Sequence, residues 1–184
     1  MSLSENNQPP NKLLMAALFA SFLAIVGTAG ILYYLGVFSN VSVTKTMSPT
    51  YHLAYLSHTG AYNKIQGVFN EAESALEQSS IKPIARAALF LDDSSLIPEE
   101  NQRSKIGFLI NANDPVPAGL VEEKILSREV VIATFDGSPV IGSYKAYSAL
   151  KQWCVANGFK PRLPALEIYY DDGVVEYQLP VTRD

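Results

Sequence analysis

The sequence predicts an α+β fold made of duplicated β-α-β-β units with pseudo-twofold symmetry and a central groove, preceded by one transmembrane helix. An uncharged apolar stretch covers residues 13–38, and the chain after it repeats one order of strand, glycine turn, helix and two strands. The length of 184 residues leaves room for one ordinary domain after the helix. We therefore expect a short polar N-terminus (1–12), a transmembrane helix (13–38) and a folded domain (41–184).

The N-terminal apolar stretch is long enough to cross a bilayer. Residues 13–38 are 26 positions without a charge, and a helix needs roughly 20 apolar residues to span the hydrocarbon core. Tyr33 and Tyr34 fit the aromatic belt at a membrane interface. A cleaved signal peptide is the alternative, since residues 28–30 are small, but the apolar run continues beyond them. We expect a single-pass protein of the bacterial cytoplasmic membrane with the lipid bilayer as a partner, and its orientation stays open.

The folded domain contains an internal repeat. The first unit covers about residues 51–112 and the second about 128–181. The interval from glycine to proline is 23 positions after Gly60 and 24 positions after Gly137. One unit alone would expose a sheet edge and half a core, so we expect two units packed about a pseudo-twofold axis, with a groove between them.

Apolar residues at steps of three and four predict one amphipathic helix in each unit. The apolar stripe of the first helix is formed by Tyr62, Ile65, Phe69, Ala72 and Leu76. The stripe of the second is formed by Tyr144, Tyr147, Leu150 and Cys154. Ser138 as N-cap, Pro139 in the first turn and Gly158 after the last turn mark the ends of the second helix.

Runs of β-branched and aromatic residues predict six strands. These strands lie near Tyr51–Ser57, Ala85–Leu91, Lys105–Ile110, Glu129–Phe135, Ala165–Tyr170 and Val174–Leu179. Asp172-Gly173 between the last two strands predicts a tight hairpin turn with two positive φ angles. Each unit therefore reads β-α-β-β.

Two motifs give the domain a family resemblance. A strand ends in HTGAY at residues 58–62, just before the first helix, and LEIY at residues 166–169 lies late in the second unit. In order and spacing these motifs resemble the GyrI-like domain family, which also forms the effector-binding part of bacterial AraC-type and multidrug-responsive regulators. The resemblance covers essentially the whole chain after the N-terminal helix. It implies a duplicated β-α-β-β fold that binds small molecules.

A membrane helix before such a domain also resembles the arrangement in the GyrI-like receptors of endoplasmic-reticulum autophagy. We do not expect that function, because such a receptor needs a long disordered tail with an interaction motif, and this sequence ends soon after its last predicted strand. We also expect that the protein is not a transcription factor and has no nucleic-acid partner. The N-terminal place of a DNA-binding domain is taken by the apolar helix, and a formal charge of −4 disfavours a phosphate-binding surface.

Glu167 is the principal candidate for a ligand-binding residue. Strand alternation puts Glu167 and Tyr169 on one face and Leu166 and Ile168 on the other. The equivalent position in the first unit is Ala88, so only one half of the groove would carry a carboxylate. The resemblance implies that a glutamate here meets cationic, lipophilic ligands in an aromatic-lined pocket. A buried carboxylate favours a cation, and aromatic faces add cation–π attraction.

The candidate walls of this pocket are Tyr62, Trp153 and Tyr169. For Trp153, packing in the core is the simpler interpretation. For Glu167, the alternative is a solvated strand face with ordinary core aromatics around it. His58 precedes a glycine turn, where hydrogen bonding within the turn explains it better than general-base catalysis. No set of His, Cys and carboxylates has metal-ligand spacing, so we expect no metal, no cofactor and no catalytic residue.

Three functions of different classes follow. The first is a membrane-tethered module that binds amphipathic, cationic small molecules. The second is an adaptor that binds a protein partner through its groove or sheet edge. The third is a hydrolase in which Glu167, with a raised pKa, activates water. The first fits the family resemblance. The adaptor would be distinguished from it by a protein that co-purifies, and the hydrolase by the formation of a product.

Overall fold

A computed structural model describes residues 11–183. Residues 1–10, which make up most of the predicted polar N-terminus, and the terminal Asp184 lie outside the described residues. The helices are α1 (Lys12–Tyr34), α2 (Gln66–Glu77) and α3 (Pro139–Asn157). The strands are β1 (Ser42–Met47), β2 (Tyr51–Thr59), β3 (Ala85–Phe90), β4 (Arg103–Ile110), β5 (Val121–Ile125), β6 (Glu129–Asp136), β7 (Phe159–Pro161), β8 (Ala165–Tyr169) and β9 (Val174–Arg183).

The helix α1 has the length and composition of a membrane span. It contains 23 residues, and none of them is buried against the other residues that the structure describes. The Oδ1 atom of Asn11 caps it by accepting a hydrogen bond from the Leu13 N–H. The helix ends at Tyr34, four residues before the predicted end, because Gly36 takes a positive φ of 75°. A signal sequence near an N-terminus meets the same criteria of length and hydropathy.

The strands form one antiparallel sheet in the order β1-β6-β9-β8-β3-β4-β2-β5, with β7 paired to the far end of β9. All six predicted strands are present. The strands β3 and β8, which correspond in the two predicted units, lie side by side at the centre. The symmetry of this order agrees with a duplication, and the duplication itself stays a prediction.

The sheet closes on itself through one continuous two-stranded ribbon. Met47 pairs with Glu129 in the ladder of β1 and β6, and four steps along each strand Tyr51 pairs with Ile125 in the ladder of β2 and β5. The N–H of Ser48 bridges the two ladders by donating to the Arg128 carbonyl at 2.9 Å. The outer strands of the sheet are therefore halves of the same ribbon, and the sheet curls around an interior.

This closure explains why one apolar face of the sheet is buried although none of the described helices lies over it. The buried side chains of that face all come from strands and include Leu53, Leu89 and Ile168. Across the same interior the Gln178 Nε2 donates to the Tyr51 hydroxyl at 2.9 Å, although three strands lie between them in the sheet. The helices α2 and α3 cover the opposite face, which we call the helix-covered face.

Three strands were missing from the sequence prediction: β1, β5 and β7. Their side chains are mostly exposed, so they lack the apolar alternation that indicates a half-buried strand. They form because each finds a partner far along the chain, as β1 does in β6. Such pairing depends on how the whole sheet closes, so the local sequence of these strands does not predict it.

The turn between β8 and β9 differs from the predicted one. Gly173 has a positive φ of 89°, but no other described residue except glycine does, so Asp172 has a negative φ. The Gly173 N–H donates to the Tyr170 carbonyl, and the Tyr170 N–H donates to the Val174 carbonyl. This is a type I turn followed by a glycine bulge, the usual three-residue hairpin loop. The prediction of two positive φ angles at Asp172-Gly173 is therefore wrong for Asp172.

The buried stripe of α3 is also rotated relative to the prediction. Leu150 and Cys154 are buried as expected, but Tyr144 is 83% exposed. The residues of the first turns that face the sheet are Gly142 and Ala146. Gly142 lies there because the helix backbone is packed against the sheet, where a Cβ atom would come within 2.5 Å of the Tyr177 hydroxyl, and a hydrophobicity pattern does not register this. The end signals hold in position, with Ser138 as the N-cap residue, Pro139 in the first turn and Gly158 as a left-handed C-cap, although the Ser138 side chain makes no capping hydrogen bond to the helix.

Candidate functional site

Glu167 is a buried carboxylate in the middle of the sheet. Its side chain is on the helix-covered face, and the residue is 6% exposed. In the register of the central strands it lies opposite Ala88 on β3 and opposite Tyr177 on β9. The predicted counterpart of Glu167 is thus its direct neighbour across β3 and β8. The small side chain of Ala88 adds no second charge to the centre of the face.

Two tyrosine hydroxyls hold the carboxylate. The Tyr147 hydroxyl, from α3, donates to Oε1 of Glu167 at 2.8 Å. The Tyr169 hydroxyl, two residues along the same strand, donates to Oε2 at 2.5 Å. Each carboxylate oxygen therefore has one short hydrogen bond, which is how a buried polar group is usually satisfied. The buried carboxylate is therefore already paired with two hydroxyl donors.

Burial and these hydrogen bonds act on the carboxyl in opposite directions. Removal from water raises the pKa of Glu167, and the bonds from Tyr169 and Tyr147 lower it, with burial the larger effect. Burial, and then the negative charge of Glu167, raise the pKa of Tyr147 and of Tyr169 well above the ordinary tyrosine value. The two tyrosines therefore stay protonated near neutral pH and act as donors.

Aromatic rings surround the carboxylate on the helix-covered face. Tyr169 meets Phe69 of α2 edge to face, with ring centroids 5.7 Å apart. Tyr147 meets Tyr177 of β9 in the same way, also at 5.7 Å. Helices α2 and α3 thus each contribute one ring, and the sheet supplies the rest. Such rings present negative faces to a cation and an apolar surface to its hydrocarbon groups.

The close approach of α3 fixes the position of Tyr147. The backbone of Gly142 lies against the sheet, where a Cβ atom would come within 2.5 Å of the Tyr177 hydroxyl and 2.7 Å of the Phe135 ring. The Tyr177 hydroxyl also donates to the Pro139 carbonyl at the start of the helix, at 3.2 Å. Only glycine permits this separation, so the first turns of α3 hold the helix at the distance that lets Tyr147 reach Glu167.

Tyr62 belongs to the same apolar cluster but uses its hydroxyl elsewhere. The hydroxyl accepts from the Asp92 N–H at 3.1 Å and donates to the Arg103 carbonyl at 2.9 Å. Its ring packs on Phe90, with centroids 4.5 Å apart. It lies near enough to Tyr147 to contribute to the raised pKa of that residue. Tyr62 can therefore serve the site as an apolar wall, with its hydroxyl fixed to the backbone.

Trp153 packs at the distal end of α3. Its ring stacks on Phe159 with centroids 5.6 Å apart, and it borders the core cluster that contains the other aromatics. Six residues separate it from Tyr147, which is about 9 Å along a helix axis. The structure thus brings Glu167, Tyr169 and Tyr62 together on one face and gives Trp153 a packing contact farther along the helix.

Sequence reasoning missed three residues of this cluster, namely Tyr147 as a partner of Glu167, Phe69 and Tyr177. Tyr147 and Phe69 were assigned to helix stripes only. The alternation in β9 puts Tyr177 on one face with Val175 and Leu179, which is a signal that was available. No local pattern indicates which tyrosine meets which carboxylate, because that depends on how α3 crosses the sheet.

His58 does not make the expected turn hydrogen bond through its Nε2 atom. In the part of the chain that the structure describes, this nitrogen and the Ser104 hydroxyl are buried without a partner, and the two residues face each other in the register of β2 and β4.

Within residues 11–183 no group of three or more His, Cys, Asp or Glu side chains is placed to hold a metal ion.

Two surface clefts lie away from Glu167. One of about 520 Å³ is bordered by the loops at residues 79–82 and 111–118. The other, of about 390 Å³, is bordered by Tyr51, His52 and Lys124, among others. Neither includes Glu167 or the tyrosines that bind it. The carboxylate is covered by its aromatic neighbours, so it is reached only if one of those side chains moves.

Solved structures with the same fold are similar to this chain at low sequence identity. The C-terminal domain of EcmrR has a TM-score of 0.64 at 15% identity, covering 78% of this chain and 99% of that one. SAV2435 bound to tetraphenylphosphonium has a TM-score of 0.56 at 12% identity, covering 77% and 94%. A hydrolase from Listeria innocua has a TM-score of 0.51 at 10% identity, covering 77% and 92%. None of the curated proteins matches significantly.

A family model settles the relationship that the motifs and the fold indicate. The model describes a GyrI-like small molecule binding domain and matches residues 42–182, which begin at β1 and end within β9. Its boundaries leave out α1 and include both packed helices, the Glu167 cluster and the sheet up to the penultimate residue of β9. The chain therefore belongs to the GyrI-like small molecule binding domain family.

Proposed function

We propose that this protein is a membrane-tethered binding module for amphipathic, cationic small molecules, with Glu167 as the counter-charge. The observation that carries the proposal is a single carboxylate, 6% exposed, at the centre of an aromatic cluster. Among residues 11–183 no Lys or Arg donates to it, and its partners are Tyr147 and Tyr169. A cation that replaces those two donors would keep the charge compensated and gain cation–π contacts.

The closed state of the site makes binding a gated event. Tyr147 is carried by α3, whereas Tyr169 shares a rigid strand with Glu167, so α3 is the element that can withdraw its donor and open the face. The hydrocarbon groups of a cationic ligand would then contact the rings of Phe69, Tyr169 and Tyr177. The two-unit interpretation adds a reason for one-sided recognition, because the position equivalent to Glu167 is the uncharged Ala88.

A neighbouring structure supports the ligand class. SAV2435, which has the same fold, was solved with tetraphenylphosphonium, a lipophilic cation. The proposed membrane helix also supports this ligand class. Amphipathic cations concentrate at bilayer surfaces, and α1 would hold the domain there. The family membership supplies small-molecule binding, and the charge and polarity of the ligand are our proposal.

The test is thermal unfolding of the full chain in phosphatidylcholine nanodiscs with tetraphenylphosphonium and with its neutral analogue triphenylphosphine oxide. At a hundredfold excess over the dissociation constant a ligand stabilises by about 2.7 kcal/mol. For a chain of this size that is a rise in Tm of about 5 to 10 °C. We expect this rise with the cation only, and its loss in Glu167→Gln.

The matched control is Glu176→Gln. Glu176 lies on β9 opposite Ile168, on the other face of the same sheet, where it accepts a hydrogen bond from Gln178. This variant removes the same charge from the chain without touching the Glu167 cluster, so its response to the cation should match the native one. Equal responses to cation and neutral analogue, or an undiminished response in Glu167→Gln, would contradict the proposal.

A hydrolase is the second candidate, favoured by the raised pKa of Glu167 and by the neighbour described as a hydrolase. Both oxygens of Glu167 are occupied by tyrosine hydroxyls, so a water could be activated only after one of them leaves. Product formation that Glu167→Gln abolishes would favour this function. A protein that co-purifies with the chain, in the absence of any response to cations, would favour the adaptor.

A further inference from the structure

The end of α1 is fixed to the start of α3. Lys145 of α3 donates through Nζ to the carbonyls of Val37 and Ser39, both at 2.7 Å. The N–H of Ser138, the residue before α3, donates to the Leu35 carbonyl at 3.2 Å. These bonds satisfy carbonyls just past the end of α1 with groups from the domain. They set the point at which the helix leaves the domain.

Backbone packing tightens the same junction. A Cβ atom on Gly36 would lie 2.9 Å from the Asp136 carbonyl and 3.1 Å from the Cα of Gly137. Gly36 also needs its positive φ of 75°, so both its conformation and its surroundings require glycine. The connection between helix and domain is therefore packed and hydrogen-bonded, unlike a free linker. The orientation of the domain relative to α1 follows from it.

Large apolar side chains are exposed around this junction. From the chain that leaves α1 come Tyr33 at 78%, Tyr34 at 85% and Phe38 at 66% exposure. From the first turns of α3, beside the Lys145 contacts, come Val140 at 79% and Tyr144 at 83%. We call these five residues the junction face. Scattered exposed apolar residues are ordinary, but a group of them beside an apolar helix that is not buried by any described part of the domain indicates an interaction surface.

We infer that the junction face docks on the lipid bilayer, so that the first turns of α3 lie in the headgroup region. This inference rests on the proposed membrane tethering. When α1 spans the bilayer, the residues at its end emerge at the interface, and the junction fixes Val140 and Tyr144 beside them. Tyrosine suits that depth, since its ring is apolar and its hydroxyl reaches water.

The charges near the junction indicate which lipids the face contacts. Asp136 is exposed beside Gly36, and the turn with Asp172 lies close by, since a Cβ atom on Gly173 would be 3.9 Å from a carboxylate oxygen of Asp136. The nearby Lys145 is already bonded to backbone carbonyls. The contact is therefore apolar and gains nothing from anionic headgroups.

Docking places the Glu167 site next to the lipid. Tyr144 and Tyr147 are three residues apart on α3, about one turn, with Tyr144 facing outward and Tyr147 donating to Glu167. A compound dissolved among the headgroups would meet α3 at the turn before the one that closes the site. The gate of the binding site and its membrane contact are thus parts of one helix.

The experiment measures the depth of three positions in the full chain, reconstituted in phosphatidylcholine vesicles. The native Cys154, 1% exposed, is replaced by alanine, and one cysteine is introduced as Tyr144→Cys, Leu96→Cys or Phe19→Cys for an environment-sensitive fluorophore. Leu96 is the matched control, because it is 76% exposed and follows β3 at the end of the sheet opposite to the junction. Phe19, in the N-terminal half of α1, tests whether this helix lies in the bilayer.

Quenching by lipids that carry a nitroxide on the acyl chain gives the outcome. We expect at least twofold loss of emission at positions 144 and 19 and no change at position 96. Quenching at 19, with position 144 as bright as 96, would overturn the docking and leave the tethering intact. No quenching at 19 would overturn both. Replacing half of the lipid with phosphatidylglycerol should not increase quenching at 144, and an increase would show an electrostatic contact and overturn the apolar one.

Discussion

Replacing Tyr147 and Tyr169 together by phenylalanine should lower the free energy of unfolding by about 3 to 6 kcal/mol at pH 7, because a hydrogen bond to a charged group contributes about 1.5 to 3 kcal/mol. Each tyrosine donates to a different oxygen of Glu167, so the double variant leaves a buried carboxylate without either of them. Urea unfolding of the full chain, followed by circular dichroism, measures the change. The control is Tyr144→Phe, an exposed tyrosine of the same helix, which should change stability by less than about 0.5 kcal/mol.

The pH dependence separates the lost hydrogen bonds from lost packing. Burial raises the pKa of Glu167, so the folded state binds its proton more tightly than the unfolded state, and stability falls as the pH rises through the raised pKa. The two tyrosines lower that pKa, and without them it rises further. The deficit of the double variant should therefore shrink as the pH falls toward 4. A deficit that is constant with pH, or absent at pH 7, would contradict tyrosine bonding to an ionised carboxylate.

Gly142→Ala should destabilise the protein by about 2 to 3 kcal/mol, toward the upper end of the usual loss for an overpacked core. The added Cβ would meet the Tyr177 hydroxyl at 2.5 Å and the Phe135 ring at 2.7 Å, and both side chains are fully buried. Alanine is otherwise favoured over glycine in a helix by about 1 kcal/mol. The measured loss of stability is thus the cost of the steric clash minus the gain in helix propensity. Thermal and urea unfolding report it.

Gly67→Ala is the matched control for that substitution. Gly67 lies in α2 and a Cβ atom there would have nothing within 4 Å, so alanine should stabilise by about 0.5 to 1 kcal/mol. Gly142→Ala also moves α3 away from the sheet, and Tyr147 with it, so cation binding should change in this variant and not in Gly67→Ala. If both alanines stabilise the protein equally, α3 does not pack on Tyr177 at this distance.

Local periodicity predicted much of the architecture. The six principal strands, the two packed helices and the start and end signals of α3 were recognisable, since each depends on residues close together in sequence. The same holds for the face of Glu167. Alternation put Glu167 and Tyr169 together and Ile168 opposite, and the core clusters on the two faces of the sheet are divided that way. The family motifs around these residues pointed to the right family.

The tertiary structure decided what depended on distant segments. The sheet is closed by the ribbon in which β1 and β2 pair with β6 and β5, which joins residues about eighty positions apart. This closure buries a face that none of the described helices covers. The pairing of Tyr147 with Glu167 depends on where α3 crosses the sheet, which Gly142 sets by steric fit. The exposure of Tyr144 follows from the same rotation. The sequence by itself thus determined the two packed helices, six of the nine described strands and the strand face on which Glu167 lies. Packing between distant segments decided the other three strands, the burial of Glu167 and its hydrogen-bond partners, because contact distances between elements are not encoded in the period of either one.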